Sequence, residues 1–449
     1  MKYTSGSFIK LFMVLSCFVL FLCCKKDDID HENGHGTLTK AYPSDVLKEW
    51  IKMDLQLLRT NDTKLNNFVM MHHWAYSSIA LYEAIVPGMP SYKSLSGQLS
   101  EMPAMPVAEH NKAYHWPTCA NAVLAAMTRN FYLDSITQGG KDSITLLEES
   151  INSIFQTIVE KKVLERSKAF GKEIAARVFK WALTDGYIAA RTAYVLPLGD
   201  GQWQKTPPGL LSPQRPYWRL NRPLMAGSVA ASHLSPPPAY SADIKSPFYG
   251  YAKEVYDLRN NLSADEQAQV RFWRDVPGGG HAHWLSIFLQ VLNQEGNRAM
   301  LDKAALVFVK MGITQSDARL SCWSAKYEYN LLRPITYINT LIDPKKDWTS
   351  FITTPNHPEY PSAHSSFSAP AAAVLTQEFG DNYSFTDRTY DFLPLPARTY
   401  TSFAHAATEA GNSRVLGGLH YRFSITAGDQ LGNSIIKHLN QHIRFKKGK

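Results

Sequence analysis

Apolar side chains recur at three- and four-residue intervals through most of this chain, a period that suits helices and defeats extended strands. In residues 66–85, Val69, Tyr76, Ile79, Ala80 and Ala84 follow that spacing. The same pattern predicts helices over 45–58, 116–132, 144–185 and 263–274. It resumes over 284–297, from 300 to beyond 326, and over 365–379, 404–411 and 420–442. Strict apolar–polar alternation is scarce. Two stretches break the pattern: residues 194–249, rich in Pro, Gly and aromatics, and residues 380–401. The fold class is therefore all-α, a multi-helix bundle with long irregular insertions.

The 449 residues are 45% hydrophobic and 12% aromatic, enough to bury a large core and unlike a disordered chain. The formal charge is +8, of which Lys2 and Lys10 supply two in the first 23 residues. The mild remainder suits a small anionic substrate or a membrane surface and calls for no nucleic acid. After the basic start, the apolar run from Leu11 to Leu22 is too short for a membrane span, which takes about 20 residues. It reads as a signal peptide. Cys23 and Cys24 at its end resemble a bacterial lipobox, with Cys24 as the acylated residue and Cys23 as the alternative. The expected layout is a leader over 1–24, a flexible tether over 25–42, an N-terminal helical region over 43–250 and a catalytic region over 251–449. The protein is expected to be exported and lipid-anchored to a bacterial membrane, on its periplasmic or outer face. Beyond the leader only Cys119 and Cys322 remain, which is no disulfide framework.

Three short segments carry the chemistry. In the first, Lys326 and Arg333-Pro334 are seven residues apart. On one helix that spacing puts both cations on nearly one face, about 10 Å apart along the axis. Two cations on one face repel unless an anion lies between them. In the second, Pro361-Ser362-Ala363-His364, the Ser362 side chain suits a helix N-cap and the following amides suit an anion. In the third, Ser413-Arg414 precedes Gly417-Gly418 and His420, so a turn can bring Arg414 and His420 to one centre. Arginine offers bidentate recognition of a tetrahedral oxyanion.

The ordered set of these segments resembles the three-part signature of the type 2 phosphatidic acid phosphatase / vanadium haloperoxidase superfamily. The surroundings of Lys326 and of residues 360–365 are most similar to its soluble haloperoxidase-like branch. That resemblance implies a helical bundle of the acid phosphatase/haloperoxidase type, covering residues 320–425 directly. It implies Lys326, Arg333 and Arg414 on the equatorial oxygens of phosphate or vanadate, with Ser362 and Ala363 as further donors. His420 would be the phosphohistidine nucleophile or the axial ligand of vanadate, and His364 the acid/base opposite it. His357, seven residues before His364, falls where the haloperoxidases flank a halide.

The expected reaction is halide oxidation by hydrogen peroxide on bound vanadate. One alternative is phosphomonoester hydrolysis without a cofactor. Another is a non-catalytic anion-binding surface lipoprotein. Two departures bear on the choice. Ala363 stands where the family usually has Gly. Ser424 stands where an Asp often orients the second nitrogen of the final histidine. His281 and His283 lack carboxylates at ligand spacing and read as a loop at the mouth of the site. His72 and His73 read as helix-contact residues.

Overall fold

The computed structural model describes residues 35–60, 65–189, 191–274, 276 and 282–448. The leader with Cys23 and Cys24, most of the tether, and Gly278–His281 lie outside the described residues. Five helices form the first half: α1 Asp45–Thr60, α2 Asn67–Ile85, α3 Trp116–Tyr132, α4 Gln138–Gln156 and α5 Lys161–Ala182. A long irregular path follows, broken by the single turn of α6 Ser228–Ala231. Then come α7 Pro247–Asn260, α8 Ala264–Phe272, α9 His283–Glu295, α10 Leu301–Tyr329, α11 Pro334–Leu341 and α12 Ala363–Phe379. The hairpin β1 Phe385–Asp387 and β2 Arg398–Tyr400 precedes α13 Phe403–Leu416 and α14 Arg422–His442.

Helix α10 is the shared axis, packing against α2 on one side and α12 and α14 on the other. About three quarters of α10 is buried, on all sides of the helix, so it reads as a core helix. At Gly312 it approaches α2 so closely that a Cβ would collide with the Ser78 hydroxyl. One continuous core includes Trp50, Trp74, Trp116 and Trp323. Cys119 and Cys322 are separate buried thiols. Among the described residues no helix is long and apolar enough to cross a membrane.

Four sequence expectations change. The helix expected over 144–185 is two, because the chain turns over 157–160 between α4 and α5. The irregular stretch 380–401 contains the antiparallel β1–β2 hairpin. Residues 247–260 form α7 inside what looked irregular at its start. Lys326 and Arg333 do not share one helix. Helix α10 ends at Tyr329, Asn330 takes a left-handed conformation (φ 43°), and Arg333 is the N-cap of α11.

Candidate active site

Five residues, on or beside five helices, meet at the C-terminal end of α10. Lys326 lies on its last turn, Arg333 caps α11, His364 opens α12, Arg414 closes α13, and His420 precedes α14. Lys326 and Arg333 are fully buried, and Arg414 and His420 nearly so. His364 alone among the five is partly exposed, so access runs past it.

The two cations shape the loop that carries His357 and Glu359. Lys326 Nζ donates to the carbonyls of Pro358 (3.0 Å), Glu359 (2.9 Å) and Pro361 (2.5 Å). Those three carbonyls match the three protons of an ammonium. Burial pulls its pKa down to about 7. Arg333 Nε donates to His357 O at 3.0 Å, and Nη1 to Leu419 O at 2.9 Å. Its Nη2 lies 3.0 Å from His357 Nδ1, which is also 3.1 Å from Pro358 O. The His357 ring lies 5.1 Å from Trp323 and is buried behind Arg333. Arg414 Nε donates to Ser413 Oγ at 2.9 Å.

His420 is the best-defined group. Arg333 Nη1 donates to its Nε2 at 3.1 Å. A guanidinium cannot accept, so Nε2 holds the lone pair and the ring proton sits on Nδ1. That proton goes to Glu359 Oε1 at 2.8 Å. The same oxygen accepts from Tyr421 N at 3.0 Å, and Ser424 Oγ donates to Oε2 at 2.6 Å. Burial raises Glu359 to about 7, against the pull of Ser424, Arg333, Lys326 and the Tyr421 amide. Burial, then Arg333, Lys326, His357 and Arg414, hold His420 well below its ordinary pKa.

Sequence reasoning missed Glu359. Its signal is modest: it is the only carboxylate in residues 348–377. It also changes the meaning of Ser424. The serine does not replace an orienting carboxylate; it fixes one that arrives from another loop.

Ser362 caps α12, its Oγ accepting from Ser365 N at 3.5 Å. Its own N–H donates to Ser424 O at 3.0 Å, which removes that amide from the donors expected for an anion. Ala363 is the first residue of α12 and is not among the positive-φ residues, so Gly is not required there. His364 Nε2 donates to Trp273 O at 2.8 Å. Desolvation, then Arg414, hold His364 well below its ordinary pKa, so it is neutral. His283 bonds Asp387, and no group of three or more His, Cys, Asp or Glu among the described residues could hold a metal ion. His73 is a core residue, and His72 bonds Asp185 at 2.7 Å.

Three buried cations surround one carboxylate. Leaving charges of one sign in a dry site is costly, and a small multivalent oxyanion would offset them. The residues present therefore fit vanadate or phosphate: a lone pair at His420 Nε2, guanidinium donors, and a helix N-terminus.

The comparisons agree with this geometry. Residues 306–446 match the family model described as the VCPO second helical-bundle domain. No functionally curated protein matches the chain. Among solved structures, the first bacterial vanadium-dependent iodoperoxidase is 32% identical, with TM-score 0.80, over 91% of this chain and 98% of that one. Two structures of a bacterial vanadium-dependent chloroperoxidase, holo and apo, share the fold at TM-score 0.62. They are 15% and 13% identical, over 84% and 86% of this chain and 93% and 95% of theirs. A buried cationic cage, a histidine with its lone pair aimed into it, and this similarity along nearly the whole chain place the protein in the vanadium-dependent haloperoxidase family.

Proposed function

We propose that the protein binds vanadate and oxidises iodide with hydrogen peroxide, in the net reaction I⁻ + H2O2 + H⁺ → HOI + H2O. Iodide gives up two electrons and peroxide takes them. The observation that carries this reading is the fixed tautomer of His420, with Nδ1–H on Glu359 and the Nε2 lone pair beside Arg333. The choice of iodide rests on the 32% identical iodoperoxidase.

Vanadate held here would supply a Lewis acid that polarises the peroxide O–O bond. His420 Nε2 would hold it, while Arg333, Arg414, the Ser362 hydroxyl and the first free amides of α12 would hold its oxygens. Lys326 acts through its charge and by folding the 358–361 loop around itself. His364, neutral and at the accessible side, accepts a proton from incoming peroxide. His357, locked to Arg333, stands beside the halide.

The test uses protein stripped of anions. Vanadate should restore peroxide-dependent triiodide formation, and p-nitrophenyl phosphate should be turned over poorly. Hydrolysis that vanadate blocks, without iodide oxidation, would instead assign phosphohistidine chemistry. Phosphate binding with neither activity would assign an anion-binding role. His364→Ala and Arg414→Ala should each abolish oxidation; full activity in both would refute the site. Anchoring through Cys24 and export to a bacterial membrane surface belong to the same reading. Labelled fatty acid should enter the wild type and not a Cys23→Ser/Cys24→Ser double variant.

A further inference from the structure

The hairpin in the 380–401 insertion sits behind His364, and its side chains converge on one residue, Trp273. Asp387 of β1 pairs in register with Arg398 of β2. One oxygen of Asp387 meets His283 Nε2 at 2.5 Å, and the other accepts from Thr389 N and Oγ1. The His283 ring then stacks on the Trp273 indole, with centroids 4.2 Å apart and planes 21° apart. From another side, Trp273 Nε1 donates to Glu409 Oε1 at 3.0 Å. Arg398 Nε and Nη2 and the Tyr400 hydroxyl bond the same carboxylate. Next along the chain, Arg274 O accepts the Tyr390 hydroxyl at 3.1 Å. Trp273, His283 and Asp387 are all buried. The main-chain oxygen of the residue so clamped is the one that takes the Nε2 proton of His364.

We infer that Trp273 is a positioning residue for His364, held by Glu409 and by the His283–Asp387 pair, and that supplying this hold is the role of the β1–β2 insertion. The inference rests on the proposed part of His364 in receiving peroxide. The physical logic is the usual one for a histidine at work: whatever bonds one ring nitrogen fixes which nitrogen carries the proton and where the other points. Here the two histidines of the site are fixed differently. His420 is held by a carboxyl group, which when ionised strengthens it as a donor of its lone pair. His364 is held by a neutral carbonyl, which fixes its ring without lending it charge. A carbonyl cannot be exchanged by substitution, so the chain secures it indirectly, by clamping the side chain of the same residue. Loosening the clamp lets the His364 ring turn, and a turned ring slows proton transfer while the cationic cage still binds its anion.

The test reads the ring itself and then the kinetics. In histidine-labelled, vanadate-free protein, long-range ¹H–¹⁵N spectra report the tautomer of His364, assigned by the signal missing in His364→Asn. The wild type should show one tautomer, protonated at Nε2. Asp387→Asn and Glu409→Gln should each show mixed tautomers or exchange broadening. In the loaded enzymes kcat should fall about 10- to 100-fold, while KM for iodide and vanadate affinity stay within about threefold of wild type. If Asp387→Asn does not fold, Trp273→Phe, which removes the indole N–H and keeps the carbonyl, takes its place. A wild-type ring protonated at Nδ1, or folded variants that keep the wild-type tautomer and kcat, would overturn the inference. A wild type that binds vanadate yet oxidises no iodide would defeat the proposed function instead, and the tautomer spectra would still decide the clamp.

Discussion

Glu359 shows how one residue can change the reading of another. With it, His420 has a carboxyl partner, and Ser424 becomes a brace for that partner rather than a loss. Glu359→Gln puts an amide NH2 where three donors converge, so at least one of His420 Nδ1–H, Tyr421 N–H and the Ser424 hydroxyl loses its acceptor. Vanadate affinity measured by calorimetry should weaken about 10- to 100-fold. Unchanged affinity would mean that Glu359 does not orient His420. Ser424→Ala removes one of the three bonds and should act in the same direction more weakly, costing about 0.5–1.5 kcal/mol of stability in urea. Neither residue announces this in the sequence. Glu359 and His420 are 61 positions apart, and no periodicity links them.

At the scale of elements, the site depends on how closely α14 crosses the start of α12. A Cβ on Gly428 would lie 2.6 Å from Ser362 O and 2.7 Å from Ser365 Cβ. Gly428→Ala must therefore push α14 away from the turn that holds Ser362. We expect a loss of about 1–3 kcal/mol in urea unfolding, as for other overpacked contacts, together with weaker vanadate binding. Gly250 on α7 is the control: it is exposed and a Cβ there meets nothing within 4 Å. Gly250→Ala should stabilise the protein by about 0.5–1 kcal/mol, because it raises helix propensity without a clash. Equal effects at the two positions would show that the crossing tolerates a methyl group. Element boundaries were readable where a local signal stands out. Ser263 begins α8 with a capping box to Glu266, and Pro117 lies in the first turn of α3, whereas the Pro247 that opens α7 was lost among the other prolines of its stretch. The α10–α11 break was not readable as placed. Pro334 points to a boundary, yet the reversal is made four residues earlier by Asn330.

At the scale of the whole molecule, buried neutral histidines couple folding to pH. Burial holds His73 down at about 3 and His115 at about 4. Both therefore stay neutral in the folded protein while the unfolded chain, with histidines near 6.5, takes up protons. At these two rings the unfolded state gains protons first as pH falls, so each such histidine subtracts up to ~1.4 kcal/mol of stability per pH unit from about pH 6.5 to about 4, while buried carboxyls raised to about 7 at Glu359 and about 6 at Asp317 act in the opposite sense. His364 and His420, also lowered, add to the slope. Urea midpoints at pH 7, 6 and 5 check this by comparison: as pH falls, His73→Gln should lose less stability than the wild type. A His73→Gln protein whose stability follows the wild-type pH dependence between 6.5 and 5 would contradict the burial of that ring as a neutral group.

The sequence by itself determined most of the helices and five of the residues of the site. Both are written over short spans: a period of three to four residues, caps within one turn, and Lys326, Arg333, His364, Arg414 and His420 in fixed order. Tertiary structure decided what each of those groups bonds to. Lys326 and Arg333 come together through a chain reversal, not along one helix face. The second nitrogens of the two histidines find Glu359 and the Trp273 carbonyl, 61 and 91 positions away. The reason is physical: periodicity and capping are satisfied by neighbours a few residues along the chain. A buried polar group must be satisfied by whatever the packing brings to it, and a main-chain carbonyl carries no mark in the sequence at all.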